Sequence, residues 1–214
     1  VAQDNSKYFI ELMSSEYTVS ENISLKGNQN ITLKTATGLE NQGTLFRGTT
    51  GDLFTLGAGD NLTIDNIKLD GNSYQYQDAG AMVNVSDTSA TLTIGNATTA
   101  PQYAPTITGN YSGTSSAIVN KGRLDVLSGN IVSNLGVDGG AISNVGSASV
   151  LNLRGGSISS NMATGKAGGI LADQGTVNVS SNVEVSKNMQ DAISEKAVES
   201  NLYAGSNLIN FDAQ

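Results

Sequence analysis

Between Asn61 and Asn188 the chain alternates apolar and polar residues in short runs that recur in a fixed order. The first run reads Asn61-Leu-Thr-Ile, Thr91-Leu-Thr-Ile, Arg123-Leu-Asp-Val, Val150-Leu-Asn-Leu and Thr176-Val-Asn-Val. A period of two predicts strands with one face buried and one wet. An aliphatic-x-x-Asn step follows each, at Leu69 to Asn72, Ile107 to Asn110, Ile131 to Asn134, Ile158 to Asn161 and Val185 to Asn188. A turn rich in small residues comes next: Ala79-Gly80, Ser115-Ser116, Gly139-Gly140 and Gly168-Gly169. A last short run closes the unit, as Ala81-Met-Val-Asn, Ala117-Ile-Val-Asn, Ala141-Ile-Ser-Asn and Ile170-Leu-Ala-Asp.

Units recur at unequal intervals, roughly 24 to 38 residues, as expected of a solenoid in which coils stack on their neighbours and loops bulge outward. A sandwich would require hairpin turns at regular spacing. The pattern therefore predicts an all-β, right-handed, three-sided parallel β-helix. Phe9, Leu12 and Met13 have helical spacing behind Ser6, so residues 1–16 are expected to form a helical cap over the open end. Coils are expected over 17–214, clearest over 61–188, as part of a longer solenoid. Asp191 to Glu199 is expected to form a short helix, and Asn207 to Phe211 one more strand.

Composition narrows the function. The chain has 214 residues, enough for one sizeable core. Lys and Arg total 11 against 19 Asp and Glu, a net charge of −8. That balance excludes a nucleic-acid partner and a polybasic membrane contact. Any membrane attachment is expected through an anchor outside this chain. Cys and His are absent. Disulfides, common zinc sites and imidazole chemistry are thereby excluded, and neither cofactor nor metal is expected. Charged residues are 14% of the chain, so Ser, Thr, Asn and Gly must keep its surface wet.

The Gly-Gly-Ala-Ile of Gly139 to Ile142, paired with aliphatic-x-x-Asn, resembles the repeats of polymorphic outer-membrane proteins, which are autotransporter adhesins. The resemblance spans Leu69 to Asn188, with Gly168-Gly-Ile-Leu as a variant and Leu, Ile or Val where the family motif has Phe. The same looser pattern occurs in pectin-lyase-like surface proteins. The resemblance implies a secreted or cell-surface location in a bacterium and adhesion to a host-surface glycan or protein.

Two Asn columns are expected to be structural ladders: Asn72, Asn110, Asn134, Asn161 and Asn188, and Asn84, Asn120 and Asn144 with Asp173. Amides stacked one strand spacing apart, about 4.8 Å, can bond along the column. The sequons at Asn22, Asn30, Asn61, Asn84, Asn96, Asn110 and Asn178 are read as unmodified, because several fall in strands or ladders. Asp78 and Asp138 align at one turn, roughly 10 Å apart if their coils lie two strand spacings apart, which is long for a glycosidase pair. Arg47, Arg123 and Arg154 are dispersed. No catalytic residue is assigned. A polysaccharide lyase or glycoside hydrolase, and a passive stalk, stand as alternatives. Tyr74, Tyr76, Tyr103 and Tyr111 lie in insertions that break the repeat. Exposed aromatics offer contact area at low entropic cost, so these four, with Asp78 and Asp138, are the candidate binding residues.

Overall fold

The computed structural model describes residues 6–98, 100–205 and 208–211. It is an all-β, three-sheet parallel solenoid, the architecture typical of right-handed β-helices. The first sheet stacks Lys7–Leu12, Asn30–Thr35, Asn61–Asp65, Thr91–Ile94, Arg123–Val126, Val150–Leu153, Thr176–Val179 and Leu208–Phe211. The second stacks Glu16–Val19, Thr44–Arg47, Lys68–Asp70, Thr106–Thr108, Asn130–Val132, Gly156–Ser159 and Val183–Ser186. The third stacks Ile23–Ser24, Phe54–Leu56, Val83–Val85, Ile118–Asn120, Ile142–Asn144, Ile170–Ala172 and Leu202–Ala204. A small fourth sheet, Leu135–Gly136, Met162–Ala163, Met189–Gln190 and Val198–Glu199, fills the corner between the second and third.

Alternation builds the core directly. Leu62, Leu92, Leu124, Leu151 and Val177 stack in register, as do Ile64, Ile94, Val126 and Leu153. Leu69, Ile107, Ile131 and Ile158 face them from the second sheet, and Val83, Ile118, Ile142 and Ile170 from the third. All are buried. Each contributes about 1.5–3 kcal/mol by leaving water. The paired glycines make the tight corner possible. A Cβ on Gly140 would collide with the carbonyls of Met162 and Gly168, and one on Gly168 with the backbone of Met189.

Both expected helices are corrected. Lys7–Leu12 is a strand, paired residue for residue with Asn30–Thr35. Tyr8, Ile10 and Leu12 stand opposite Ile31, Leu33 and Thr35, so period two overrides the helical spacing of Phe9, Leu12 and Met13. A strand there satisfies the backbone edge of Asn30–Thr35, which a helix could not do. Among the described residues the coils therefore begin at Lys7, and the first of them borders an apolar cavity of about 540 Å³ lined by Leu12, Val19, Leu25 and Leu33 among others. Asp191 to Glu199 forms turns that double back, ending in Val198–Glu199 antiparallel to Met189–Gln190. The expected last strand is present over Leu208–Phe211, and Asn207 lies outside the described residues.

Candidate functional site

The corner between the second and fourth sheets is built on asparagine. Gly109, Ser133, Ser160 and Lys187 each take a left-handed φ, between 56° and 66°, which turns the chain. The next residue in each case is a buried Asn: Asn110, Asn134, Asn161 and Asn188. Asn134 Nδ2 donates to Asn161 Oδ1, Asn161 Nδ2 to Asn188 Oδ1 and Asn188 Nδ2 to Asn201 Oδ1, each at 2.9 Å. The same oxygens accept the backbone N–H groups of Asn134, Asn161 and Asn188, and Asn134 Oδ1 accepts that of Asn110. Asn201, which alignment missed because the chain doubles back to reach the corner, ends the column by donating to Glu199 Oε1 at 2.9 Å.

Asn72 does not join this column. It takes the left-handed conformation itself (φ 50°), one residue later than its counterparts. Its Nδ2 donates instead to the Arg47 carbonyl and to Gln75 Oε1. Arg47, fully buried, caps the ladder in its place. Its Nη2 donates to Asn110 Oδ1 at 3.1 Å and to the Ala81 carbonyl at 2.8 Å. Burial pushes the Arg47 guanidinium down to about 10, partly offset by the charge of Asp52. Arg47 Nε and Asn110 Nδ2 find no partner among the described residues, so this is the less satisfied end of the ladder.

The second column holds two amides. Asn120 Nδ2 donates to Asn144 Oδ1 at 2.7 Å, and both residues are fully buried. Asn84 pairs with Val119, and Val85 stands opposite Asn120. A one-residue offset puts Asn84 on the outer face, where its Nδ2 donates to Asp52 Oδ2. Ala172, not Asp173, stands opposite Asn144. A third amide column on the first sheet went unrecognised in the sequence. Asn210 donates to Asn178, Asn178 to Asn152 and Asn152 to Asp125, which Arg123 clasps. Its signal was the repeated third residue of the alternating runs.

The structure separates the candidate binding residues. The loop after Asn72 leaves Tyr74 93% exposed and Tyr76 half-buried, and returns at Ala79, whose N–H donates to the Tyr111 carbonyl. Tyr111 pairs with Leu135, Leu135 with Met162 and Met162 with Met189. These four make an outward column of large apolar side chains along one corner. Tyr111 is 36% and Met162 41% exposed, with Leu135 and Met189 half-buried. Tyr103 is elsewhere. It precedes Thr106–Thr108, whereas Tyr111 follows it, so Tyr103 lies at the corner between the first and second sheets, held by Gln42 through the Tyr103 and Ala104 carbonyls.

Asp78 is exposed beside Gly113, where a Cβ would overlap its carboxylate. Asp138 accepts from the Lys166 N–H at 2.7 Å. The Tyr111 to Ser116 segment runs between their coils: Ala79 N–H bonds the Tyr111 carbonyl, and Val137 N–H the Ser115 carbonyl. The two acids are therefore not a close pair. Among the described residues, no three His, Cys, Asp or Glu side chains converge as metal ligands. No helix among them is long and apolar enough to cross a membrane. No family model, curated protein or solved structure matches this chain.

Proposed function

We propose that this chain is part of a bacterial adhesin, secreted or displayed on the cell surface, that binds a host-surface protein or glycan through the corner bearing Tyr74 and Tyr111. The observation that carries this reading is the outward column Tyr111, Leu135, Met162 and Met189, flanked by the exposed Tyr74 loop. Large apolar side chains in a row are costly against water and gain when a partner covers them. Tyr and Met suit this use, because aromatics bury much area at low entropic cost and Met adapts its shape. The resemblance of Gly139 to Ile142 and the aliphatic-x-x-Asn steps to autotransporter adhesin repeats supports the same assignment and the surface location.

The test is a triple variant, Tyr74→Ser with Tyr111→Ser and Met162→Ser. All three side chains point away from the core, so unfolding free energy should change by about 1 kcal/mol or less. Binding to host cells is expected to fall at least about tenfold. Unchanged binding overturns the assignment to this corner. Release of reducing sugar from any polysaccharide offered would favour an enzyme instead.

A further inference from the structure

We infer a second binding site, for a neutral carbohydrate chain, in the trough on the outer face of the third sheet beside Asp138. Its floor is an outward column in strict register, Val119, Ser143 and Leu171, which Tyr203 continues on the next coil beyond the trough. Its wall is made by the turns through Thr114, Ser115, Val137 and Asp138, and the trough encloses about 290 Å³. That is near the lower end of ligand-pocket sizes and fits a sugar unit or two rather than a protein loop.

The chemistry of the lining selects the ligand. A sugar ring has an apolar C–H face and a rim of hydroxyls. Val119 and Leu171 offer an apolar floor, and Tyr203, 38% exposed and opposite Leu171 on the next coil, offers an aromatic face at the trough's end. Lys166 Nζ lies 5.2 Å from the centre of that ring, which restrains the ring's orientation. Asp138, Thr114 and Ser115 supply the polar rim. One Asp138 oxygen already accepts from the Lys166 N–H, and a carboxylate has further acceptor sites for sugar hydroxyls.

The site is also rigid. The Ser116 and Ser143 hydroxyls both donate to the Asp138 carbonyl, at 2.7 and 3.1 Å, tying the turn to the floor. A trough fixed before the ligand arrives loses less entropy on binding. Asp138 is the one carboxylate among its lining residues, so the trough holds no acid pair for glycosidic cleavage. The Lys166 ammonium is already placed over the Tyr203 ring, so the Asp138 charge, within a chain of net charge −8, disfavours uronate polymers and leaves neutral hexose or N-acetylhexosamine chains.

Titration of the 15N-labelled chain with cellotetraose, maltotetraose and chitotetraose tests this, with tetragalacturonate as the acidic control. At least one neutral tetrasaccharide should shift the amides of Val119, Ser143, Leu171 and Tyr203 with millimolar affinity, and the acidic one should not. Val119→Trp, which fills the trough from its floor, should abolish those shifts, and Tyr203→Ala should weaken binding about tenfold. The site does not depend on the corner described above, so the Tyr74, Tyr111, Met162 triple variant should keep the shifts intact. Absence of shifts with every neutral chain overturns the proposal. So do shifts that survive both Val119→Trp and Tyr203→Ala, and equal binding of tetragalacturonate.

Discussion

At the residue scale, stability at the corner between the second and fourth sheets rests on buried amides that bond one another and the turn backbone. Asn134 Oδ1 accepts the Asn110 N–H, and Asn134 Nδ2 serves Asn161 Oδ1 and the carbonyls of Ile107 and Val132. Replacing Asn134 by Leu strands the Asn110 N–H and the amide's bonds to the Ile107 and Val132 carbonyls, while Asn161 Oδ1 keeps the backbone N–H of residue 134, at about 1–3 kcal/mol for each group that finds no new partner. Asn134→Leu is therefore expected to cost at least about 3 kcal/mol in urea unfolding. Asn72→Ala, outside the ladder, should cost about 1 kcal/mol or less. Equal losses for the two would show that position in the column does not matter. Sequence spacing made the Asn110 to Asn188 column legible. It could not separate Asn72 from it, because the difference is which residue takes positive φ: Gly109 before Asn110, but Asn72 itself in the coil below. Nor did it point to Arg47, an interior arginine on a strand whose Leu45 is an ordinary core residue.

At the element scale, the two ends of the ladder differ. Arg47 closes one end from deep burial, and Glu199 closes the other from the surface. Hydrogen bonds from the Asn201 side chain and then the Lys187 N–H hold the Glu199 carboxyl below its ordinary value of 4.5. A depressed carboxyl favours folding above the unfolded value and loses that contribution as pH falls through the folded one. The doubled-back segment from Asp191 to Asn201 is thus expected to loosen in acid, below pH 4.5, before the coils do. Amide exchange at Lys187 should accelerate there in the wild type and become pH-insensitive, beyond intrinsic exchange chemistry, in Glu199→Gln. A pH response identical in the two proteins would remove Glu199 as the clasp. The missed elements share a physical cause. Short apolar runs fit either period, and at the first coil the unpaired backbone of Asn30–Thr35 decides for strand. A one-residue offset likewise carries Asn84 to the outer face, since every position in a strand is only one step from the opposite side.

At the scale of the whole molecule, a uniform scaffold carries irregular attachments. Three sheets were legible because an inward apolar position recurs on each, from Leu62 to Val177 on the first, Leu69 to Ile158 on the second and Val83 to Ile170 on the third. The candidate face was only partly legible. Tyr74 and Tyr111 stand out as insertions, whereas Leu135, Met162 and Met189 read as ordinary apolar residues until the fourth sheet aligns them outward. Tyr103 lies near Tyr74 and Tyr111 in the sequence, yet the strand Thr106–Thr108 carries it to another corner.

The four methionines of the chain report directly on which surface meets a partner. Met82 is buried in the core, Met13 is exposed beside the first described coil, and Met162 and Met189 lie on the proposed binding column. With the methyl groups labelled with 13C, addition of host-cell membrane vesicles should broaden the Met162 and Met189 signals. Those of Met13 and Met82 should stay sharp. Broadening of Met13 alone, or of none of the four, would contradict a binding role for this corner.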